Sequence, residues 1–182
     1  MTVNPTNILA ISGSLRQSST NSAALRAAAE AAAKEGIVVT LGASVRTLPH
    51  FDPDLESAPP DTVLRFREAC KRADGVLLAV PEYAFGIPGA FKNALDWTVG
   101  TSALYRKPVT VLSVAPPSRG TRVREALAHV LTAIGANAIF CSVPVADADR
   151  DACGEVRNAT VVAELRTIAS ELAARSNAAT AA

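Results

Sequence analysis

The chain has 182 residues, 49% of them hydrophobic and 19% charged, which is enough for one well-buried domain and short for two. A formal net charge of +1 gives no global attraction to nucleic acid or to an anionic membrane, so neither is expected as a partner and a charged ligand must be recognised locally. Cys70, Cys141 and Cys153 show no C-x-x-C spacing, and with His50 and His129 far apart they form no zinc motif, so no metal is expected; the thiols read as free and buried, in a reducing compartment.

"MTVNPTN" has no basic n-region, and no apolar run approaches the roughly 20 residues of a bilayer span, so a cytoplasmic location is expected. The first strand, "NILAIS", runs into a cluster of hydroxyls and amides, Ser12, Ser14, Ser18, Ser19, Thr20, Asn21 and Ser22, around the single cation Arg16. Leu25, Ala28, Ala29 and Ala32 then recur at helical spacing. A second strand, "IVVTLG", precedes the turn-rich surface loop "FDPDLESAPPD". The third strand, "GVLLAV", leads into "PEYAFGIPGAFKNALDW", Pro81 to Trp97. Here two prolines and two glycines stiffen a loop and let its backbone approach a ligand, while Tyr83 and Phe85 offer flat faces. Phe91, Leu95 and Trp97 on the helix that follows read as core or subunit-interface residues. The fourth strand, "PVTVLSV", is followed by Arg119, Arg122 and Arg124 and then by a helix carrying Val123, Leu127, Val130, Leu131 and Ile134. After the fifth strand, "NAIFCSV", a last helix carries Val161, Leu165, Ile168, Ala169 and Leu172. "RSNAATAA" reads as a frayed tail, which puts a single domain at 1–175 and a disordered tail at 176–182.

The five strands are short and apolar without polar alternation, as strands buried on both faces are. Their alternation with helices implies a parallel sheet covered on both sides. The expected architecture is α/β: a flavodoxin-like three-layer sandwich with a five-stranded parallel sheet in the order 2-1-3-4-5. Such sheets bind ligands beyond the carboxyl ends of the strands, where the strand order reverses. The hydroxyl cluster lies at such an end, over the first helix's N-terminus, where free N–H groups and the positive dipole end collect. With Arg16 it forms a cradle for a phosphate monoester. An ordinary helix cap explains one such residue, but not so many. Neither G-x-x-x-x-G-K-[ST] nor G-x-G-x-x-G occurs, so no triphosphate loop or dinucleotide fingerprint is present.

"SGSLRQSSTN" and "PEYAFGIPGAFKNALDW" together resemble the two signature segments of the NADPH-dependent FMN reductase family, a flavodoxin-like group that includes quinone, azo-dye and chromate reductases. The resemblance implies that Ser14, Arg16, Ser19 and Asn21 hold the FMN phosphate, and that Pro81, Glu82 and Tyr83 start the loop against the isoalloxazine ring. Ala84, Phe85 and Gly86 fill the middle of that loop, where many members carry polar residues including an arginine. A third flavin-contacting loop in the family corresponds here to "APPSRGT", with Ser118 and Gly120 as contacts and Pro116 and Pro117 as extra prolines. The implied activity is an FMN-dependent NAD(P)H oxidoreductase of the FMN or quinone reductase type. NADPH or NADH reduces FMN and leaves, and a quinone, flavin, azo compound or metal oxyanion takes its place. A homodimer or homotetramer is implied as well.

No Ser/His/Asp, Cys/His or paired-carboxylate constellation occurs, and none is needed, so no catalytic side chain is expected. Backbone N–H groups between Pro81 and Gly89 are the expected donors toward the reduced ring. Two other classes remain at this point. A non-enzymatic flavodoxin-like carrier docking to a protein partner commonly uses a strongly charged face, which this chain lacks. A phosphate-binding regulatory module would take up no flavin. Arg119, Arg122 and Arg124 oppose the dipole of the helix they precede, at about 0.3–1 kcal/mol each if exposed. An anion such as the 2′-phosphate of NADPH would offset that cost; otherwise they are solvated. Arg46 and Arg106 have no assigned role, His50 reads as a loop residue and His129 as a helix residue.

Overall fold

The apolar runs become strands β1 (Asn7–Ser12), β2 (Val38–Leu41), β3 (Gly75–Ala79), β4 (Pro108–Ser113) and β5 (Asn137–Ser142), and between them lie helices α1 (Thr20–Ala33), α2 (Asp61–Arg72), α3 (Gly89–Asp96), α4 (Thr121–Ile134) and α5 (Ala159–Thr180). This computed structural model describes residues 5–42 and 44–180. All strand pairs are parallel, in the order β2-β1-β3-β4-β5. The fold is the expected flavodoxin-like three-layer sandwich.

The period of two along each strand sorts the core into two halves. Ile8, Ala10, Leu77, Ala79 and Leu112 face α1 and α5, whereas Leu9, Ile11, Val76, Leu78, Val109 and Val111 face α2, α3 and α4. The alanines of α1 (Ala23, Ala24, Ala27, Ala28, Ala31 and Ala32) are buried and carry almost no side-chain bulk, which lets the helix lie close to the sheet and to α5. Two-sided burial holds for β3 and β4 along their whole length, but not for the edges. Val38 and Leu41 in β2 and Ile139 in β5 are exposed, because an edge strand has a neighbour on one side only and the helices do not reach over it. Helix α2, which no periodicity had marked, buries only the narrow stripe Val63, Phe66 and Cys70.

The frayed tail expected over 176–182 is instead helical as far as Thr180, and positions 181 and 182 lie outside the described residues. Arg175 donates to the carbonyls of Val109 and Asn137 (3.3 and 2.7 Å), and Thr6 Oγ1 donates to Asn177 (2.8 Å). Ser176 is fully buried against Gly75 at the start of β3, where a Cβ would stand 2.4 Å from its Oγ and 3.1 Å from Leu172 Cδ1. Gly75→Ala must therefore displace the Ser176 hydroxyl and the Leu172 side chain, or α5 with them. A loss of about 1–3 kcal/mol is expected for such overpacking, read as a lower midpoint in urea unfolding; an unchanged midpoint would show that α5 gives way freely.

Phe91, Leu95 and Trp97 are buried inside this one chain, so they belong to the core and offer no subunit interface. The cysteines differ from one another. Cys70 is buried and its thiol is pushed up to about 12 by desolvation, and partly buried Cys141 is pushed up to about 11 for the same reason. Cys153 is exposed, against the expectation of buried thiols, because it sits in a loop beyond β5.

Candidate functional site

The strand order reverses between β1 and β3, and the loops leaving the carboxyl ends of β1, β3, β4 and β5 meet there. Gly13 starts the first loop by crossing the end of β3. Its N–H donates to Ala79 O (2.8 Å), and a Cβ would lie 2.8 Å from Val80 Cγ1. Several hydroxyls then fold the loop on itself. Ser12 Oγ accepts from Ser14 N (3.3 Å) and from Ser22 Oγ (2.9 Å), while Ser14 Oγ accepts from Arg16 N (3.3 Å) and Ser18 Oγ from Arg16 Nε (3.1 Å). Ser19, only 4% exposed, is the N-cap of α1, its Oγ accepting from Ser22 N (3.4 Å). From outside the loop, Arg46 donates to the Leu15 carbonyl.

Capping and loop closure leave Asn21 unexplained. It is largely buried, yet its amide oxygen has no hydrogen-bond partner among the described residues. The oxygen and nitrogen of such an amide exchange places on a flip, so the group offers a donor as readily as an acceptor. The N–H groups of the first turn of α1 also lack intrahelical carbonyls. These are the donors a phosphate monoester takes.

Ser14, Arg16, Ser19 and Asn21 line a cleft of about 640 Å³, with Pro81 and Tyr83 on its β3 side. Asn21 and Pro81 also belong to an adjoining cleft of about 520 Å³, which reaches Glu82, Arg119 and Gly120. Together the two are of the size and shape that hold small ligands. Ser118 is exposed and lines neither cleft, whereas Gly120 reaches the second through its backbone. The sequence reading missed Asp147 and Arg150, which follow β5 and line the first cleft. The only signal for them was the charge cluster "DADRD" just past a strand's carboxyl end. His50 and His129 are exposed and line neither cleft.

Glu82 has a role that the motif did not suggest. Its Oε2 accepts from Val123 N (3.0 Å) in the first turn of α4, a helix that begins at left-handed Gly120 (φ 84°) without a side-chain cap. It is therefore the anion that offsets the arginines at this helix start. Those arginines divide: Arg122 pairs with Glu125 (3.4 Å), Arg124 lies 6.0 Å over the Phe140 ring, and Arg119 lines the cleft.

Ala84, Phe85 and Gly86 line neither cleft. Tyr83 and Gly86 exchange N–H···O bonds of 3.1 and 3.0 Å around a two-residue turn, with Ala84 at φ 49° and Phe85 at φ 60°. Positive φ at both centres is the type I′ turn, which favours Asn-Gly over Ala-Phe. The unusual backbone thus falls on these two residues, while Gly86 and Gly89 have ordinary φ values. The left-handed conformation costs a non-glycine residue roughly 1–2 kcal/mol. Phe85, 81% exposed, has little packing to lose. Phe85→Gly should therefore stabilise the chain by about 1 kcal/mol, a rise of roughly 2–4 °C in thermal melts. A lower melting temperature would mean that the ring packs against protein after all.

Among the described residues no group of three His, Cys, Asp or Glu side chains could hold a metal, and no helix is long and apolar enough to cross a membrane. Residues 6–150 match the family described as NADPH-dependent FMN reductase. A quinone reductase of Pseudomonas putida is 37% identical over 118 residues, which is 63% of this chain and 62% of that protein. An NAD(P)H-dependent FMN reductase of Pseudomonas aeruginosa is 37% identical over 117 residues, again 63% of this chain and 62% of the relative. The matched region thus spans about 62% of the length of these curated relatives. Among solved structures, FerB, a flavoenzyme NAD(P)H:(acceptor) oxidoreductase from Paracoccus denitrificans, superposes with a TM-score of 0.75 at 25% identity, over 94% of this chain and 97% of that one.

Proposed function

Because the chain belongs to the NADPH-dependent FMN reductase family, we propose that it is an FMN-dependent NAD(P)H oxidoreductase that passes hydride from reduced nicotinamide through bound FMN to a small acceptor. A quinone or a free flavin is the first choice of acceptor, consistent with the relatives named quinone reductase and FMN reductase. The observation that carries the reading is the cleft at the strand-order reversal, where the buried amide oxygen of Asn21 has no hydrogen-bond partner among the described residues, beside Arg16 and the N–H groups of Thr20 and Asn21 at the start of α1. That donor set fits the phosphate of FMN.

FMN supplies the chemistry of accepting a hydride and giving it up again. The chain supplies position. Ser14, Arg16, Ser19 and Asn21 hold the phosphate; Pro81, Glu82 and Tyr83 bound the ring, with Glu82 locking the loop to α4 through Val123 N. Tyr83 and Gly86 spend their N–H groups on each other and Pro88 has none, so in this loop it is the N–H of Glu82, on the cleft wall, that would orient the ring and meet negative charge on it. No side chain carries a proton, and none is required. We assign the FMN-binding domain to residues 1–175, extended to the end of α5 at Thr180, and the protein to the cytoplasm as a homodimer or homotetramer. Exposed Tyr83 beside the cleft offers apolar surface for that contact.

The test is the visible spectrum of the purified protein under anaerobic conditions, before and after NADPH or NADH. Yellow protein that bleaches with a nicotinamide and recovers its colour with a quinone is expected. Flavin that no nicotinamide bleaches would return the protein to the electron carriers, and colourless protein that takes up no FMN would overturn the reading altogether.

A further inference from the structure

Arg150 stands on a rigid segment. Asp149 O accepts from Arg157 N and Asn158 N (2.8 and 3.2 Å), Asp151 N donates to Glu155 O (2.9 Å), and Arg150 itself forms an antiparallel bridge with Val156, which is buried in the core. Its side chain is 17% exposed and lines the cleft that Arg16 and Asn21 also line. One guanidinium nitrogen pairs with the Asp147 carboxylate, but Nε is buried with no hydrogen-bond partner among the described residues. The described residues contain three such orphaned side-chain atoms, and two of them, on Asn21 and Arg150, belong to walls of this one cleft.

The positive charge there falls short of what a phosphate monoester carries. A phosphate monoester carries close to two negative charges at neutral pH. Arg16 supplies one positive charge and the α1 N-terminus about half of one. Asp147 adds a further negative charge to the same wall, and its side chain is 96% exposed, free to turn to water.

From this geometry we infer that Arg150 is a second guanidinium ligand for a phosphate monoester in this cleft, with Asp147 occupying it when no phosphate is present. The inference rests on the proposed function for the identity of the ligand. The phosphate is either the 5′-phosphate of FMN or the 2′-phosphate of NADPH, and the two are separable.

The test compares wild type with Arg150→Met, Arg150→Lys and Asp147→Asn. If the partner is FMN, Arg150→Met weakens FMN binding, titrated by flavin fluorescence on the apo-protein, by roughly 10- to 100-fold while riboflavin binding stays within about twofold. Arg150→Lys restores part of the loss, since it returns the charge without the fork, and Asp147→Asn leaves FMN binding equal or tighter. If the partner is NADPH, FMN binding is unchanged and the preference for NADPH over NADH in single-turnover flavin reduction disappears. Either result supports the assignment. It is overturned if Arg150→Met changes neither, or if FMN and riboflavin weaken alike together with a lower melting temperature, which marks a structural role. A last arm uses inorganic phosphate against chloride at equal ionic strength. Phosphate that raises the melting temperature of wild type but not of Arg150→Met sustains the anion site even if wild type takes up no FMN, in which case only the proposed function falls. Wild type that responds to neither FMN nor phosphate removes both.

Discussion

Ser19→Asp is expected to abolish FMN binding while leaving the fold and riboflavin binding intact. Ser19 is buried at the start of α1, where its Oγ caps Ser22 N. Aspartate caps as well as serine and suits the positive end of the dipole, so apo-protein melts should not fall. Toward a phosphate the substitution acts oppositely. A carboxylate about 4 Å from a dianion is repelled by about 4 kcal/mol per charge pair at an effective dielectric near 20, equivalent to about 1,000-fold in affinity. Riboflavin has the ring without the phosphate and should notice little. Parallel titrations of both flavins decide the matter: a mutant that folds normally and keeps wild-type FMN affinity would leave Ser19 as a cap and nothing more.

Trp97→Ala should cost about 3–5 kcal/mol of stability, the range for removing a fully buried large aromatic side chain, and lower the melting temperature by roughly 6–20 °C. The indole is wholly enclosed. Its Nε1 donates to Pro49 O (2.9 Å), its ring meets Phe51 edge-on at 5.0 Å and 81°, and the Arg67 guanidinium lies 5.5 Å from its centroid. Removing it opens a cavity under Arg67 and strips one of the two donors from the Pro49 carbonyl, the other being Asn93 Nδ2 (2.8 Å). The same segment carries Arg46, which ties down the Leu15 carbonyl, so a weaker grip on FMN is expected alongside the lost stability. Urea unfolding of apo-protein together with an FMN titration measures both. A stability loss below about 1 kcal/mol would mean that the site collapses around the missing ring.

The sheet was legible because each strand is an apolar run bounded by turn residues, and the 2-1-3-4-5 order followed from the alternation with helices. The edges were not, since "IVVTLG" and "NAIFCSV" look as apolar as the central runs and nothing local says that a neighbour is missing. Helix α2 escaped notice because its apolar stripe is three residues wide at Val63, Phe66 and Cys70. Two of the site's walls announced themselves as dense local motifs. What stayed hidden depends on contacts between distant positions: Glu82 capping a helix 41 residues on, Arg150 arriving from beyond β5, and Ser176 held by the absence of a side chain at Gly75. The positive φ of Ala84 and Phe85 ran against local propensity, which pointed to the glycines beside them.

The place of α5 has a consequence for biosynthesis. The helix packs on β1, β3 and β4, and Leu165, Leu172 and Ser176 close the half of the core built on Ile8 and Leu77. Chains grow from the N-terminus at roughly 5–20 residues per second, so the sheet can be complete in the nascent chain while that face still lacks half of its cover. During this interval, exposed apolar surface and two open strand edges coexist on one molecule, the combination that favours association between chains. Chains truncated before Ser176 should therefore bind chaperones more strongly than chains that extend through Thr180, although they differ by less than two turns of helix.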